Sequence, residues 1–229
     1  MIRNFRLHDK LAEVLGVDLR TLALFRTAFA LTLLVDLCWR LTDVRAFYTD
    51  FGIVPRDWLL QIQGTWRFTP HLLFGDEGFT IALFAIEMLA LVAMALGWRT
   101  RTATIVAAVL HASLQNRNDV ITIGGDSLAC CLLFWSVFLP LGARWSIDAA
   151  LSTRPPPSNN QHLSWASAGI VLQVLSVYFF SAILKSGAEW WPDGTAVYYA
   201  MSLDRYATPL GQWLLNFPLL MQGLSYFVY

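Results

Sequence analysis

Charge is scarce in this chain. Only 14% of its 229 residues are Asp, Glu, Lys or Arg, and sixteen basic side chains cancel sixteen acidic ones. Without net charge or a basic block the chain offers no phosphate-binding surface, so no nucleic-acid partner is expected. Lysine is scarcer still, with Lys10 and Lys185 the two examples. The three cysteines, Cys38 and the adjacent Cys130 and Cys131, fall inside apolar runs. They provide neither a disulfide framework nor a metal-ligand spacing, so they read as packed thiols and no metal is expected. A hydrophobic stretch of the kind that opens a signal peptide is not expected in the first 20 residues either. The first 20 residues mix Arg3, Arg6, Lys10 and Arg20 with Asp9, Glu13 and Asp18, which reads as a cytosolic lead-in. No internal repeat is evident, which argues against an inverted-repeat transporter.

What fills the space is apolar. The chain is 56% hydrophobic and 14% aromatic, with a mean hydropathy of +0.51. These values place it among polytopic membrane proteins. The expected fold is an all-α transmembrane bundle of about six spans in a single domain over residues 1–229, with the lipid bilayer as its main partner. Tryptophans near the ends of apolar runs (Trp39, Trp98, Trp145, Trp165, Trp190, Trp191) suit interfacial belts.

Span one is expected from about Thr21 to Leu41. It carries Arg26, Asp36 and Arg40. Asp36 and Arg40 stand one helical turn apart and can pair, and Arg26 lies on the same half of the helix, which should therefore face protein. Residues 42–77 read as a long interfacial or re-entrant loop of interleaved aromatic and charged residues, including Trp66-Arg67-Phe68. Span two, about Phe79 to Leu96, holds Glu87 near its middle, expected to pair with Arg26 or Arg40 or to be protonated. Span three, about Thr102 to Gln115, sets His111, Gln115 and Asn118 on one face if the helix continues.

The segment Asn116-Arg117-Asn118-Asp119 leads through Gly124-Gly125 to Asp126. Asp126 could cap span four, about Ser127 to Leu141. Alternatively the amides, Arg117, Asp119 and Asp126 could line one polar pocket. The run Pro155-Pro156-Pro157-Ser158-Asn159-Asn160 is a linker. From Leu163 to Leu184 no residue is charged, a length sufficient to cross a bilayer. Span six is expected from Pro209 and is still apolar at Tyr229, which suggests that the C-terminal part of the domain is missing. Counting basic residues by face weakly favours a cytoplasmic N-terminus. The 42–77 loop, the 116–126 segment and Lys185 would then share the periplasmic face of a bacterial inner membrane.

Lys185 ends the uncharged span before Trp190 and Trp191. A lysine in water has a pKa near about 10.4 and is a poor base, whereas one removed from water loses hydration of its charged form and becomes a better one. From position alone, Lys185 is either a snorkelling anchor or a base walled by Phe179, Phe180, Trp190 and Trp191.

The run Tyr178-Phe179 … Lys185 … Glu189-Trp190 … Gly194, with Met201 at its end, resembles the active-site helix of the vitamin K-dependent γ-glutamyl carboxylase family. The membrane part of that family is also called the horizontally transferred transmembrane domain, or HTTM. Trp145-Ser146-Ile147-Asp148, Asn116-Arg117-Asn118, Phe47 to Arg56, and Gly124-Gly125-Asp126 resemble the bacterial members in the same order. The turn has no histidine, and His111 stands two helical turns earlier.

The resemblance implies an enzyme that oxygenates a reduced naphthoquinone, reduced vitamin K, with O2. It further implies that CO2 is then added to a glutamate in a peptide, a lyase-type carboxylation. Lys185 is implied as the catalytic base, and Asn116, Arg117, Asn118, Asp126, Trp190 and Trp191 as the residues that hold quinol or substrate. Arg26, Asp36, Arg40 and Glu87 would be structural charges. The alternative is a non-catalytic membrane scaffold or solute-handling bundle in which buried charges only fix helix packing.

Overall fold

The computed structural model describes residues 10–63, 69–155, 157, 159–203 and 208–229. The expectations placed on Arg3, Arg6, Asp9, Trp66-Arg67-Phe68, Pro156 and Ser158 lie outside these residues. The chain divides into two compact units, Met1–Val171 and Leu172–Tyr229.

The first unit is built on α1 (Leu19–Leu41), α4 (Glu77–Leu96), α5 (Thr100–Arg117) and α6 (Gly124–Phe138). Short helices α2 (Val44–Tyr48) and α3 (Arg56–Gln63) and a 3₁₀ turn (Pro70–Leu72) give structure to the long connection. Another short helix, α7 (Ile147–Leu151), follows α6. Strands β1 (Val17–Asp18) and β2 (Gln161–His162) pair antiparallel, Val17 opposite His162.

Sequence explains where the helices begin and end. Asp18 caps α1 by accepting the Arg20 N–H at 2.7 Å, and Asp76 caps α4 by accepting from Phe79 N–H at 2.8 Å. Gly97 stops α4 in the left-handed region, φ 71°. A side chain there would also collide with Ser146 and the Arg26 guanidinium. Asp126, weighed above as a cap, stands instead at the third position of α6, where its carboxylate accepts from the Ile123 N–H at 2.8 Å.

Burial follows helical spacing. On α1 the buried positions are Leu19, Leu22, Ala23, Arg26, Ala30, Leu33 and Leu37, one stripe facing α4. The opposite face is also apolar, with Leu24, Leu31, Val35 and Trp39 exposed. A soluble helix would put charge there; a helix surrounded by lipid has no reason to. Helix α4 packs on α1 and α5, and α5 packs on α6. Phe84, Leu91, Met94, Leu114 and Leu133 form the centre of the core.

Among the described residues, three helices are long and apolar enough to cross a membrane: α1, α4 and α8 (Trp165–Leu184). Helix α6 is apolar but has 15 residues, and α5, with 18, ends in polar residues. The all-α bundle is as expected. The sixth span is not one helix: it forms α10 (Pro209–Leu214) and α11 (Pro218–Val228). Pro218 disfavours helical backbone at Phe217, which lies at φ −116°, ψ 77°. The second unit holds these two helices, α9 (Ala196–Ser202) and the end of α8.

Candidate functional site

Two groups of polar side chains sit inside the first unit, near opposite ends of α1. At the Arg26 end, the guanidinium is 1% exposed. It donates to the Leu141 carbonyl at 2.9 Å and the Trp145 carbonyl at 2.7 Å. Arg26 therefore serves carbonyls left unpaired after α6 rather than the carboxylate partner expected for it. Nearby, Asp148 accepts from Arg99 N–H, Thr100 N–H and Thr100 Oγ1 at 2.6–2.8 Å, capping α5 from a distance. Burial raises the Asp148 carboxyl, but these donors outweigh it and hold it below the usual carboxylate range.

At the other end, Arg40 bridges two acids. Its Nε donates to Asp36 Oδ2 at 2.6 Å, as the one-turn spacing predicted, and its Nη2 donates to Asp126 Oδ1 at 2.6 Å. Nη1 donates to the Tyr48 hydroxyl at 3.0 Å. Glu87 does not pair with either arginine. Its Oε1 faces His111 Nδ1 at 3.0 Å, with both side chains essentially unexposed. The reason is angular: Arg40 is already held by Asp36 and Asp126, while α5 packs on α4 and presents His111 to Glu87. Gln115 Nε2 then lies 3.4 Å from His111 Nε2, and Thr122 Oγ1 is 3.5 Å from Gln115 Oε1.

The 42–77 connection is fastened to this same end. Arg117 is fully buried and donates to the Val54 carbonyl at 2.7 Å and to Asp50 Oδ1 at 3.3 Å. Asn118 Nδ2 donates to the Phe47 carbonyl at 2.9 Å. Arg56 pairs with Asp50 at 2.8 Å. His71 is buried against Ser113, its Nδ1 2.7 Å from Ser113 Oγ. Burial, helped by the positive charge of Arg117, pushes the His71 imidazole down to about 4. Asn116 is half-buried and, with Gln115, Asp119, Thr122, Ser127 and Cys130, lines a cavity of about 380 Å³.

Of the residues read from sequence in this segment, Asn116 thus faces the cavity, whereas Arg117, Asn118 and Asp126 spend their polar atoms on the neighbouring loop and on Arg40. His71, Ser113 and Tyr48 were not singled out from sequence. The one available signal was a histidine and a tyrosine inside an otherwise loop-like stretch. Cys38, expected to be packed, is exposed, and Cys130 and Cys131 are half-buried; all three are free thiols. Among the described residues no cluster of three or more His, Cys, Asp or Glu could hold a metal.

Lys185 belongs to the second unit. It is half-buried, and its Nζ donates to the Val228 carbonyl at 2.6 Å and stands 5.2 Å from the centre of the Trp190 ring. Trp191 is 63% exposed and packs against Tyr226, ring centroids 5.3 Å apart. The Tyr226 hydroxyl donates to the Pro192 carbonyl at 2.6 Å and Gln222 Nε2 donates to the Asp193 carbonyl at 3.1 Å. Together these bonds fix the turn after Lys185 onto α11.

Lipid-facing helices around buried ionisable pairs define a helical integral membrane protein. The HTTM domain family matches residues 16–228, nearly the whole chain, and the protein belongs to that family. Vitamin K-dependent γ-carboxylase carries the same domain. The uncharacterized protein YitO of Bacillus subtilis (strain 168) is 32% identical over 113 residues, which cover 48% of this chain and 36% of YitO. The chain thus spans about a third of that relative's length. No solved structure matches.

Proposed function

We propose that this HTTM protein is a membrane-embedded quinol oxygenase of the vitamin K-dependent carboxylase type, with Lys185 as its base. The observation that carries the reading is the setting of the Lys185 amine, held by Val228 and set over Trp190 at the end of an uncharged helix. A neutral amine has two N–H bonds and one lone pair. Donation to the Val228 carbonyl uses one N–H and leaves the lone pair to accept a proton from a quinol hydroxyl, forming an ammonium held by the same carbonyl. The exposed rings of Trp191, Phe179 and Phe180 on the same stretch fit a flat aromatic quinol and an apolar tail. Reduced vitamin K, when bound, would supply the reducing equivalents for O2 and the strong base for glutamate carboxylation.

Asn116, on the wall of the loop-end cavity, is a candidate in its own right for holding a polar group of a substrate. Arg117, Asn118 and Asp126 support it by fixing the loops around it. Carboxylation of a glutamyl peptide with CO2 is a further step of the same proposal, as is a periplasmic active face.

The scaffold reading has one observation in its favour. A lysine bonded to a backbone carbonyl and set over a tryptophan ring is also what an interfacial anchor looks like, since the ring favours the ammonium form. Incubating the purified protein with chemically reduced vitamin K and O2 separates the two. The enzyme reading expects accumulation of the epoxide, and the scaffold reading expects only the slow background oxidation seen without protein.

A further inference from the structure

We propose that Glu87 and His111 form a proton-exchange site inside the bundle, served by water from the loop-end cavity and gated by the Gln115 side chain. This goes beyond the assignment of Lys185 and does not depend on it.

An acid and an imidazole buried between membrane helices are costly, and a purely structural pair would be expected to have its remaining polar atoms satisfied. This pair does not. One proton is shared between Glu87 Oε1 and His111 Nδ1 at 3.0 Å, while Glu87 Oε2, also buried, has no hydrogen-bond partner among the described residues. His111 Nε2 has only the 3.4 Å approach of the Gln115 amide. The charges that face the pair do not complete it. Asp36 and Arg40 reach it from α1, with Arg40 shared between Asp36 and Asp126; Cys130 on α6 is the next titratable group, and Tyr48 is bonded to Arg40.

A route to solvent is short. Gln115 and Thr122 line the 380 Å³ cavity and also contact each other, so one amide separates its water from His111 Nε2. Both Gln115 contacts lie at the long end of hydrogen bonding, 3.4 and 3.5 Å, so turning the amide aside sacrifices little. An amide does not itself pass a proton on. With it displaced, an O–H bond of a hydronium breaks as the His111 Nε2–H bond forms, leaving water and an imidazolium whose charge the Glu87 carboxylate balances. The reverse step returns the proton, and the pair can thereby lend or take one proton for chemistry at the loop end.

The test is the solvent exchange rate of the His111 ring N–H, read by NMR on ¹⁵N-histidine protein in lipid nanodiscs and assigned with His111→Asn. Gln115→Ala should accelerate this exchange several-fold, and Ser127→Trp, which adds bulk at an exposed position on the cavity wall, should slow it several-fold. The ring of His71, equally buried against Ser113, should respond to neither. A His111 rate indifferent to both substitutions, or a His71 rate that moves in step with it, overturns the proposal. If Gln115→Ala does not insert, Ser127→Trp decides alone. Epoxide formation plays no part in this readout, so its outcome is separate from that of the Lys185 reading.

Discussion

Glu87 on α4 and His111 on α5 meet at 3.0 Å with neither side chain open to solvent or lipid. Removing one member strands the other. His111→Leu is expected to destabilise the bundle by about 1–3 kcal/mol, because an unsatisfied buried polar group remains, while the double substitution with Glu87→Leu should recover much of that loss. Unfolding in mild detergent for the single and double variants checks this. A loss in the double variant equal to the sum of the losses in His111→Leu and Glu87→Leu alone would mean that the two side chains are not coupled.

Acid should loosen the 3₁₀ turn. His71 is neutral in the fold because its imidazole is pushed down to about 4, whereas in the unfolded chain it titrates near 6.5. Between those values the unfolded chain binds the extra proton, so stability falls as the pH drops from about 6.5 towards about 4, by at most about 3 kcal/mol. Asp148 loses its contribution in a more acidic window, since its carboxyl is held below 3.8. Unfolding curves across that range should slope in the wild type and flatten in His71→Gln. An unchanged slope in the variant would remove His71 as the cause.

The fully buried Arg117 guanidinium fastens the loop after α1 to the end of α5. Arg117→Ala strips a donor from the Val54 carbonyl and a partner from Asp50. The buried charged hydrogen bond is worth about 1.5–3 kcal/mol, so the segment around Asp50 to Arg56 should open locally before the bundle does. Limited proteolysis should then cut within 50–56 much faster than in the wild type, with helix content retained. Equal cleavage rates would show that Asn118 and Arg56 suffice to hold the loop.

Much of this architecture was legible in the sequence because lipid simplifies it. Long apolar runs with few charges gave the helices of α1, α4 and α8, and the one-turn spacing of Asp36 and Arg40 gave their pair. Partners across helices were not legible. Glu87 found His111, and Arg26 found the carbonyls beyond α6, because helix rotation and the exact end of α6 decide which groups meet. The same limit applies to Asp126, whose place three residues into α6 turns a cap reading into a bridge with Arg40. Residues in the long connection, such as His71 and Tyr48, carry no periodic signal, and only tertiary packing buries them.

Epoxide formation from reduced vitamin K by wild-type protein, Lys185→Ala and Lys185→Arg in nanodiscs reads directly whether the Lys185 amine accepts a proton from a quinol. Loss of a general base should lower turnover by about 100-fold or more in both variants, with helix content and insertion unchanged. Arginine is the sharper control, because it can still donate to the Val228 carbonyl yet stays protonated and has no lone pair to offer. Turnover in Lys185→Arg equal to that of the wild type would contradict the assignment.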